Sequence, residues 1–552
     1  MLRIDRRGVA SGRSPWGAGV TSLASLATSP GLRASLAAFC VLVVVTIPLA
    51  PWRTDPGPIG DEGLLLAEPE LVLDGKLPYR DFGTFYGPAT SMLPAAVYAV
   101  TEPRVGIERA IGLAYRLALV AAVFALALRT GLATAVAAGL ISGGLLFVQV
   151  FAIFPLAALG WFGGLALAAW SLWFLQRALA REPVNATAIP WAGLAAGLAI
   201  SFRPQLGLAV ALAAVPLLGG RPLALSRRLV LWTLAGALPL LGVVVLAGPA
   251  PVFRSIVIDA LFRSAPQSTL PYPTTSPALE LGILLLVGTG VLVIGLVAAI
   301  RASWRRGSRG PEERRLASLA LFGLALVPQV LGRASIHDTA KVGVVVIALM
   351  PTVLASPRIA GALRAPLRQG IAVGLSGLAV LLGAGSYINI AGDGFERAFG
   401  DPAEYEERDQ RLNWVHWGSR SFPLYSAAQV EETRAALEEI DRISAPGDRL
   451  LVGPPNLRRT YYADAHLYHL LPELEVGTYH VEMAPGVANR EGSGLAEDVA
   501  AADVVVLGTS VDWRIVAPNV KLGTDDAATR ALRAHFCIAA RVPPYKIYDR
   551  CP

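Results

Sequence analysis

Three carboxylates stand close together in the stretch "IGDEGLLLAEPELVLDGKLPYRDFGTFYGP", which covers positions 59–88. Asp61 and Glu62 are adjacent, and Asp81 follows in "YRDF". A carboxylate held away from water has a raised pKa, which suits a general base. Adjacent acids are also common in solvated loops, so the pair alone does not separate a catalytic segment from a solvated one.

The residues after these acids favour a poorly solvated position. The chain continues as an apolar, partly amphipathic stretch with aromatic residues at five positions: Tyr79, Phe82, Phe85, Tyr86 and Tyr98. Segments of this kind lie along a membrane interface. We therefore expect this stretch to cover the acids and to hold them between itself and the neighbouring membrane spans. Asp61 is favoured as the base over Glu62, and Asp81 is a second acid.

Cations occur at or near the ends of several apolar runs. Arg203 interrupts "GLAISFRPQLGL", Arg263 lies in "LFRSAPQSTLPYP", and Arg333 and His337 lie in the turn "GRASIHD". Ionisable residues at membrane depth are rare and functional by default, although long side chains also snorkel to the interface for structural reasons. Arginine binds two phosphate oxygens at once. Acids and cations together suggest sugar transfer from a lipid phosphate.

Arg116 differs from these cations because it lies in the middle of an apolar run. There a structural ion pair, with Glu108 or Glu62, is the favoured interpretation.

The composition is that of a membrane protein. Of the 552 residues, 54% are hydrophobic and 16% are charged, with a mean hydropathy of +0.52. A soluble domain usually has about 25% charged residues. Residues 1–390 hold 31 Lys+Arg and 16 Asp+Glu, a net charge of +15, whereas residues 391–552 hold 17 and 25, a net charge of −8. This split argues against nucleic-acid binding.

Apolar runs predict about eleven transmembrane helices, since a bilayer core about 30 Å thick needs about 20 residues per span. The candidate spans are 34–51, 107–128, 131–152, 154–176, 189–203, 204–219, 229–249, 278–300, 316–332, 341–355 and 370–390. The predicted organisation is a basic cytoplasmic N-terminus (1–33), a transmembrane domain (34–390) with a first outer loop (52–106), and an extracytoplasmic α/β domain (391–552).

Orientation follows the distribution of Lys and Arg in short loops. The strongly basic loops at 176–182, 221–228, 301–315 and 356–369 all fall inside if 189–219 forms a hairpin of two short spans. The N-terminus is then cytoplasmic. The loops 52–106, 250–277 and 333–338 and the residues after about 391 are outside.

The C-terminal part has the pattern of an α/β domain. Positions 427–444 have helical periodicity, and "DRLLVG" (448–453) and "ADVVVLG" (502–508) indicate buried strands. Cys537 and Cys551 could pair if the domain is exported, which the sequence leaves open. We find no nucleotide fingerprint, zinc spacing or hydrolase elbow.

Three segments resemble the GT-C class of integral-membrane glycosyltransferases, especially bacterial relatives of the dolichyl-phosphate-mannose protein mannosyltransferases. They are "DEGLLLAEPELVLDGKLPYRDFGTFYGP" (61–88), "GLAISFRPQLGL" (197–208) and "PQVLGRASIHD" (328–338). The resemblance implies that Asp61 is the catalytic base, that Glu62 assists or orients it, and that the donor is a polyprenyl-phosphate sugar used with inversion. Many relatives have an Asp in the last turn where this chain has Ser335, which puts the role of that turn in doubt.

The leading hypothesis is therefore an inverting glycosyltransferase of the cell membrane, which moves a hexose or pentose from a polyprenyl phosphate to a glycan, lipid or protein acceptor at the outer face. The expected substrate-binding residues are Tyr79, Arg80, Asp81, Arg203, Arg263, Arg333 and His337. No metal or other cofactor is predicted, although a divalent cation is possible.

Two alternatives remain. A transporter or flippase of a lipid-linked or polyanionic substrate would use the acids to bind a coupling cation, and would usually show matched broken helices in two repeats. One interrupted span (189–219) is present, without a counterpart. A non-catalytic scaffold would leave the aromatic first loop and its acids without a use.

Overall fold

The computed structural model describes residues 30–46, 59–149, 156–180, 184–267, 278–306, 310–331, 336–360, 413–509, 519–523 and 526–552. Apolar helices make up the N-terminal part, and a domain of helices and strands follows at the C-terminus.

Within its described ranges, the regular elements of the N-terminal part are all helices, and the loop 74–88 contains one isolated β-bridge between Pro78 and Phe82. The helices are α1 Pro30–Thr46, α2 Ile59–Leu73, α3 Ala89–Thr101, α4 Val105–Ala127, α5 Leu132–Gly144, α6 Gly160–Ala178, α7 Ala188–Phe202, α8 Leu206–Leu218, α9 Leu223–Gly236, α10 Leu238–Ala247, α11 Pro249–Phe253, α12 Ala278–Arg306, α13 Pro311–Leu326, α14 Pro328–Leu331, α15 Ile336–Val346, α16 Met350–Leu354 and α17 Pro357–Ala360. Segments of π-helix extend α5 over Leu145–Gln149 and α11 over Arg254–Ser264.

These helices coincide with ten of the predicted spans, and the eleventh, 370–390, lies outside the described residues. The stretch 189–219 forms two helices, α7 and α8, which break at Arg203. Among the described residues, two helices are individually long and apolar enough to cross a bilayer, and α9 with α10 forms a third span if this pair, bent by 60°, is counted as one. The number of eleven spans therefore stays a prediction.

Large apolar side chains are exposed along several helices of this part. Leu231 on α9, Val245 on α10 and Leu286 on α12 are 66%, 81% and 66% exposed. Water would make such continuous apolar faces costly, whereas lipid tails would not. The helical part is a membrane domain.

The C-terminal domain is built on a mixed five-stranded sheet. Its elements are β1 Trp414–Trp417, β2 Arg420–Pro423, α18 Ala427–Ile443, β3 Arg449–Gly453, α19 His466–Leu470, β4 Glu475–Val476, α20 Leu495–Ala501, β5 Val504–Leu507, α21 Ala527–His535, β6 Phe536–Val542 and β7 Tyr545–Arg550. The strand order is β4-β3-β5-β7-β6, with β3 parallel to β4 and β5, and β7 antiparallel to β5 and β6.

The strands β3 and β5 are the two that the apolar runs predict, and nearly all of their side chains are buried. The strands β1 and β2 form a separate antiparallel hairpin. A disulfide joins Cys537 on β6 to Cys551, just after β7.

The first-loop helix α2 is buried between the two parts of the molecule. Leu64, Leu66 and Leu71 belong to one apolar core together with Leu451 and Leu467 of the C-terminal domain. Gly63 approaches α19 so closely that a Cβ there would lie 2.4 Å from the His466 backbone nitrogen. The expected membrane-interface stretch is thus covered by the C-terminal domain, because its apolar face packs on that domain's core.

Candidate functional site

The first turn of α2 carries both acids of the opening pair, and the structure gives them different surroundings. Asp61 is half-buried, whereas Glu62 is fully buried. Both carboxylate oxygens of Glu62 accept from Arg109 on α4, from Nε at 2.6 Å and from Nη2 at 3.0 Å. Such a bidentate pair fixes geometry. Glu62 is therefore an anchor between α2 and α4, which positions Asp61 beside it.

Glu68 is a buried acid that the sequence analysis did not select. It follows Asp61 by seven positions, so both residues lie on the same face of α2. Burial above all, and then the negative charge of Glu482, raise the pKa of Glu68 to about 8, against the opposing influence of the Thr84 hydroxyl and the positive charge of Arg203. Within the described part of the chain, its Oε1 has no hydrogen-bond partner.

Arg203 approaches Glu68 from the break between α7 and α8. Its backbone is extended, with φ −148° and ψ 101°, which ends α7 and lets α8 begin three residues later. The guanidinium carbon lies 4.1 Å from the centre of the Tyr86 ring and 5.7 Å from that of Trp161. Two aromatic faces therefore hold this cation by cation–π contact.

The Tyr86 hydroxyl is influenced by the charged groups around Arg203. The pKa of its hydroxyl is raised well above the usual value, first by the negative charge of Glu482 and then by burial. The positive charge of Arg203 lowers the pKa of this hydroxyl, and the negative charge of Asp61 raises it. The structure thus brings Asp61, Glu68 and Arg203 together with a carboxylate of the C-terminal domain.

Tyr79 braces the loop that carries Tyr86. It is buried, and its hydroxyl donates to the Tyr86 carbonyl oxygen at 2.5 Å. Its own carbonyl oxygen accepts from the Tyr479 hydroxyl at 3.2 Å. Its φ of +67° is unusual for a residue with a Cβ. Such conformations persist where surrounding contacts fix them, so Tyr79 joins the first loop to the C-terminal domain.

Gly87 lets this loop approach the end of α7. Its amide donates to the Phe202 carbonyl oxygen at 2.9 Å, and a Cβ on Gly87 would lie 2.1 Å from the Ser201 carbonyl oxygen. A side chain at this position would therefore separate Tyr86 from Arg203.

Arg80 and Asp81 lie on an exposed turn and pair with each other at 2.8 Å. The Leu77 amide also donates to Asp81 Oδ2 at 2.7 Å. The structure gives both residues a local role in the turn and does not bring them into the cluster.

The remaining predicted cations are placed as follows. Arg263 forms an ion pair with Asp259 on the π-helical segment. Arg333 lies outside the described residues, and for His337 the structure describes the backbone alone, within α15.

Arg116 is fully buried in α4, and its Nη1 donates to the Ala157 carbonyl oxygen at 3.2 Å. Glu108, one of the two candidate partners of Arg116, accepts from the Ala158 amide at 2.5 Å. These contacts give both groups a structural role between α4 and the start of α6, and the ion pair of Arg116 stays a prediction.

A cavity of about 670 Å³ lies between the start of α4 and the β1–β2 hairpin. Arg109, Arg420 and His469 contribute to its lining, together with Trp414. It borders the side of α2 that carries Glu62 rather than the Asp61 side. Within the described ranges, no group of three or more His, Cys, Asp or Glu residues is arranged to hold a metal ion.

Solved structures share the fold of this chain. The crystal structure of ArnT from Cupriavidus metallidurans bound to undecaprenyl phosphate matches with a TM-score of 0.52 at 15% identity, over 94% of this chain and 98% of that one. The chain has the GT-C fold.

Two further solved structures match with lower TM-scores. The apo form of the same ArnT gives a TM-score of 0.46 at 13% identity, over 97% of this chain and 98% of that chain. The apo oligosaccharyltransferase from Archaeoglobus fulgidus gives 0.48 at 12%, over 85% of this chain and 69% of that chain. No family model matches the sequence, and no curated protein matches it.

Two acids of the site in this GT-C fold were missed from the sequence, Glu68 and Glu482. Glu68 has a signal, because its spacing from Asp61 puts it on the same helical face. Glu482 has none, because it lies 414 positions after Glu68 and enters the site by the docking of a separate domain.

Proposed function

We propose that this protein is an inverting glycosyltransferase that moves a sugar from a polyprenyl phosphate to an acceptor hydroxyl at the outer face of the membrane. The observation that carries the proposal is the convergence of half-buried Asp61, buried Glu68 and Arg203 around Tyr86, beneath the C-terminal domain. The shared fold with an ArnT that binds undecaprenyl phosphate supports a donor of this chemical class.

Asp61 acts as the general base in this proposal. Its carboxylate accepts the proton of the acceptor hydroxyl while that oxygen attacks the anomeric carbon. The bond between the anomeric carbon and the phosphate oxygen breaks on the opposite face, so the configuration inverts. The products are the glycosylated acceptor and the polyprenyl phosphate, and the proton stays on Asp61 until it passes to solvent.

Arg203 binds the phosphate of the donor and of the leaving polyprenyl phosphate. A guanidinium offers two parallel N–H donors to phosphate oxygens. The rings of Tyr86 and Trp161 hold the guanidinium by cation–π contact in a half-buried position, where its attraction for an anion is stronger than in bulk water. Arg263, Arg333 and His337 remain expected contributors from neighbouring outer segments.

Glu68 limits the negative charge near the phosphate. With a pKa of about 8, it is mostly protonated at neutral pH and offers a hydrogen-bond donor rather than a second anion. A neutral acid at this position is compatible with an anionic donor, whereas a charged one would repel it.

The proposed topology has the N-terminus in the cytoplasm and the C-terminal domain outside. The Cys537–Cys551 disulfide supports it, because such bonds persist in oxidising compartments. The basic loops between the spans support it independently. We propose transfer without a metal ion, to a glycan, lipid or protein acceptor.

Transport and transfer can be separated in one experiment. Full-length protein is reconstituted in liposomes with polyprenyl-phosphate hexose or pentose, labelled in the sugar, and with an envelope extract as acceptor. Transfer releases polyprenyl phosphate and moves label to the acceptor. Movement of intact labelled lipid across the bilayer, with no polyprenyl phosphate released from either donor, would show that the protein is a flippase and would contradict the proposed transfer.

A further inference from the structure

A second polar cavity lies at the opposite end of the helical bundle from Asp61, Glu68 and Arg203. Helix α4 begins beside the Glu62–Arg109 pair and has 23 residues, which is about 34 Å of helix. Arg129, two residues past its end, lines the cavity together with the end of α6 and the start of α13. The cavity is therefore about one bilayer thickness from the cluster.

The lining of this cavity is rich in arginine. Its charged members are four arginines and one acid: Arg129, Arg221, Arg314, Arg315 and Glu312. Pro311 and Glu312 of α13 contribute the first turn of a 16-residue helix, whose free amide groups carry a partial positive charge. The described lining therefore favours an anion.

Two buried side chains in this lining have polar atoms that lack partners. Gln176 on α6 is 2% exposed, and neither its amide nitrogen nor its amide oxygen has a hydrogen-bond partner within the described ranges. Arg315 is 5% exposed; its Nη2 donates to Thr130 Oγ1 at 3.0 Å, whereas Nε and Nη1 have no hydrogen-bond partner there. Its Nε lies 3.7 Å from Glu312 Oε2.

Unsatisfied buried donors of this kind are costly, because water is lost and no other partner replaces it. An anion with several acceptor oxygens can accept from the Arg315 guanidinium and from the Gln176 amide nitrogen at once. Arginine binds phosphate bidentately, and basic pockets between membrane helices suit anionic lipid headgroups. The cavity volume is about 320 Å³, which accommodates a phosphate group with a small alcohol attached.

We propose that this cavity binds a phosphate-bearing anion through Arg315 and Gln176, at the membrane face opposite to the transfer site. The phosphate belongs either to a lipid headgroup of that leaflet or to a soluble molecule. The proposal does not depend on the activity of the transfer site.

The test uses delipidated full-length protein in neutral detergent. Inorganic phosphate, glycerol 1-phosphate and short-chain phosphatidylglycerol are titrated at constant ionic strength, and the thermal midpoint is recorded. Retention of long-chain phosphatidylglycerol is measured in parallel by native mass spectrometry. The variants are Arg315→Gln and Gln176→Leu, and Arg305→Gln is the control because Arg305 is exposed and does not line the cavity.

We expect the ligands to raise the midpoint of wild type and of Arg305→Gln, with a Kd at least about tenfold weaker in the other two variants. Retained phosphatidylglycerol that phosphate displaces identifies a lipid headgroup as the source, whereas a response to soluble phosphates without lipid retention identifies a soluble anion. No response of wild type to any ligand, or equal responses in all folded variants, would overturn the proposal. If Arg315→Gln does not fold, the comparison of wild type with Gln176→Leu still decides the question.

Discussion

Glu68 sets the chemical character of the site at the scale of single residues. Its pKa is raised to about 8 by burial and by the negative charge of Glu482, against the positive charge of Arg203. In the unfolded chain it titrates near its ordinary value of 4.5. Between these two values the folded state therefore holds more protons than the unfolded state, so the stability contribution of Glu68 is lost as the pH rises from about 4.5 to about 8.

The direction of this pH dependence of stability gives a measurable prediction for Glu68→Gln. Wild-type protein loses up to about 1.4 kcal/mol of unfolding free energy per pH unit in this window from this group alone. The variant, which cannot ionise, has a flatter dependence of the thermal midpoint on pH between 5 and 8. Parallel profiles for the two proteins would mean that Glu68 ionises freely in the folded state.

At the scale of elements, the loop 82–88 and the end of α7 form one unit through Gly87. A Cβ at this position meets the Ser201 carbonyl oxygen, and overpacking of this kind costs about 1–3 kcal/mol. We expect Gly87→Ala to lower the thermal midpoint and to weaken donor binding, because Tyr86 and Arg203 move apart.

Gly106→Ala is the matched control, since a Cβ there has no heavy atom within 4 Å. Equal midpoints and equal donor affinities for the two alanine variants would contradict the close approach at Gly87.

The elements themselves were largely predictable, and the site was predictable in part. The β-branched runs predict β3 and β5 because buried parallel strands need continuous apolar residues. The convergence of Asp61 and Arg203 follows from the predicted topology, since both fall at one face of the membrane. The number of spans stays a prediction.

The rest of the site depends on contacts between distant segments, which no local pattern encodes. Glu62 meets Arg109 across 47 positions, and the position of the acidic pair depends on this contact. Arg80 and Asp81 follow the family motif, but they pair with each other on the surface. The cover of α2 by the C-terminal domain was missed because an amphipathic helix packs equally well on a membrane surface or on a protein core.

At the scale of the whole molecule, Glu70 joins the first loop to the C-terminal domain. Glu70 Oε1 lies 2.5 Å from His469 Nδ1, and its carboxylate pairs with Arg420 at 3.3 Å. Arg420 also donates to the Pro103 carbonyl oxygen at 2.6 Å. These contacts hold the domain over α2, and so they keep Glu482 near Glu68.

We expect Glu70→Gln to loosen this docking by about 1.5–3 kcal/mol, because hydrogen bonds to a charged group are lost. Hydrogen–deuterium exchange in residues 466–470 then accelerates, while the thermal midpoint of the helical part changes little. Glu439→Gln removes an exposed pair with Arg442 on α18 and serves as the control. Equal exchange in both variants would show that apolar packing alone holds the domain.

The central claim is that Asp61 is the base and Arg203 the phosphate ligand of one transfer site. The most direct measurement is the single-turnover rate of sugar transfer from a saturating polyprenyl-phosphate sugar, with donor Kd measured on the same samples. We expect Asp61→Asn to keep the donor Kd and to lose about 10²–10⁴-fold in rate, and Arg203→Gln to weaken donor binding. Glu102→Gln, at an exposed position of the same loop, keeps both values. A folded Asp61→Asn protein that transfers sugar at the wild-type rate would contradict the account.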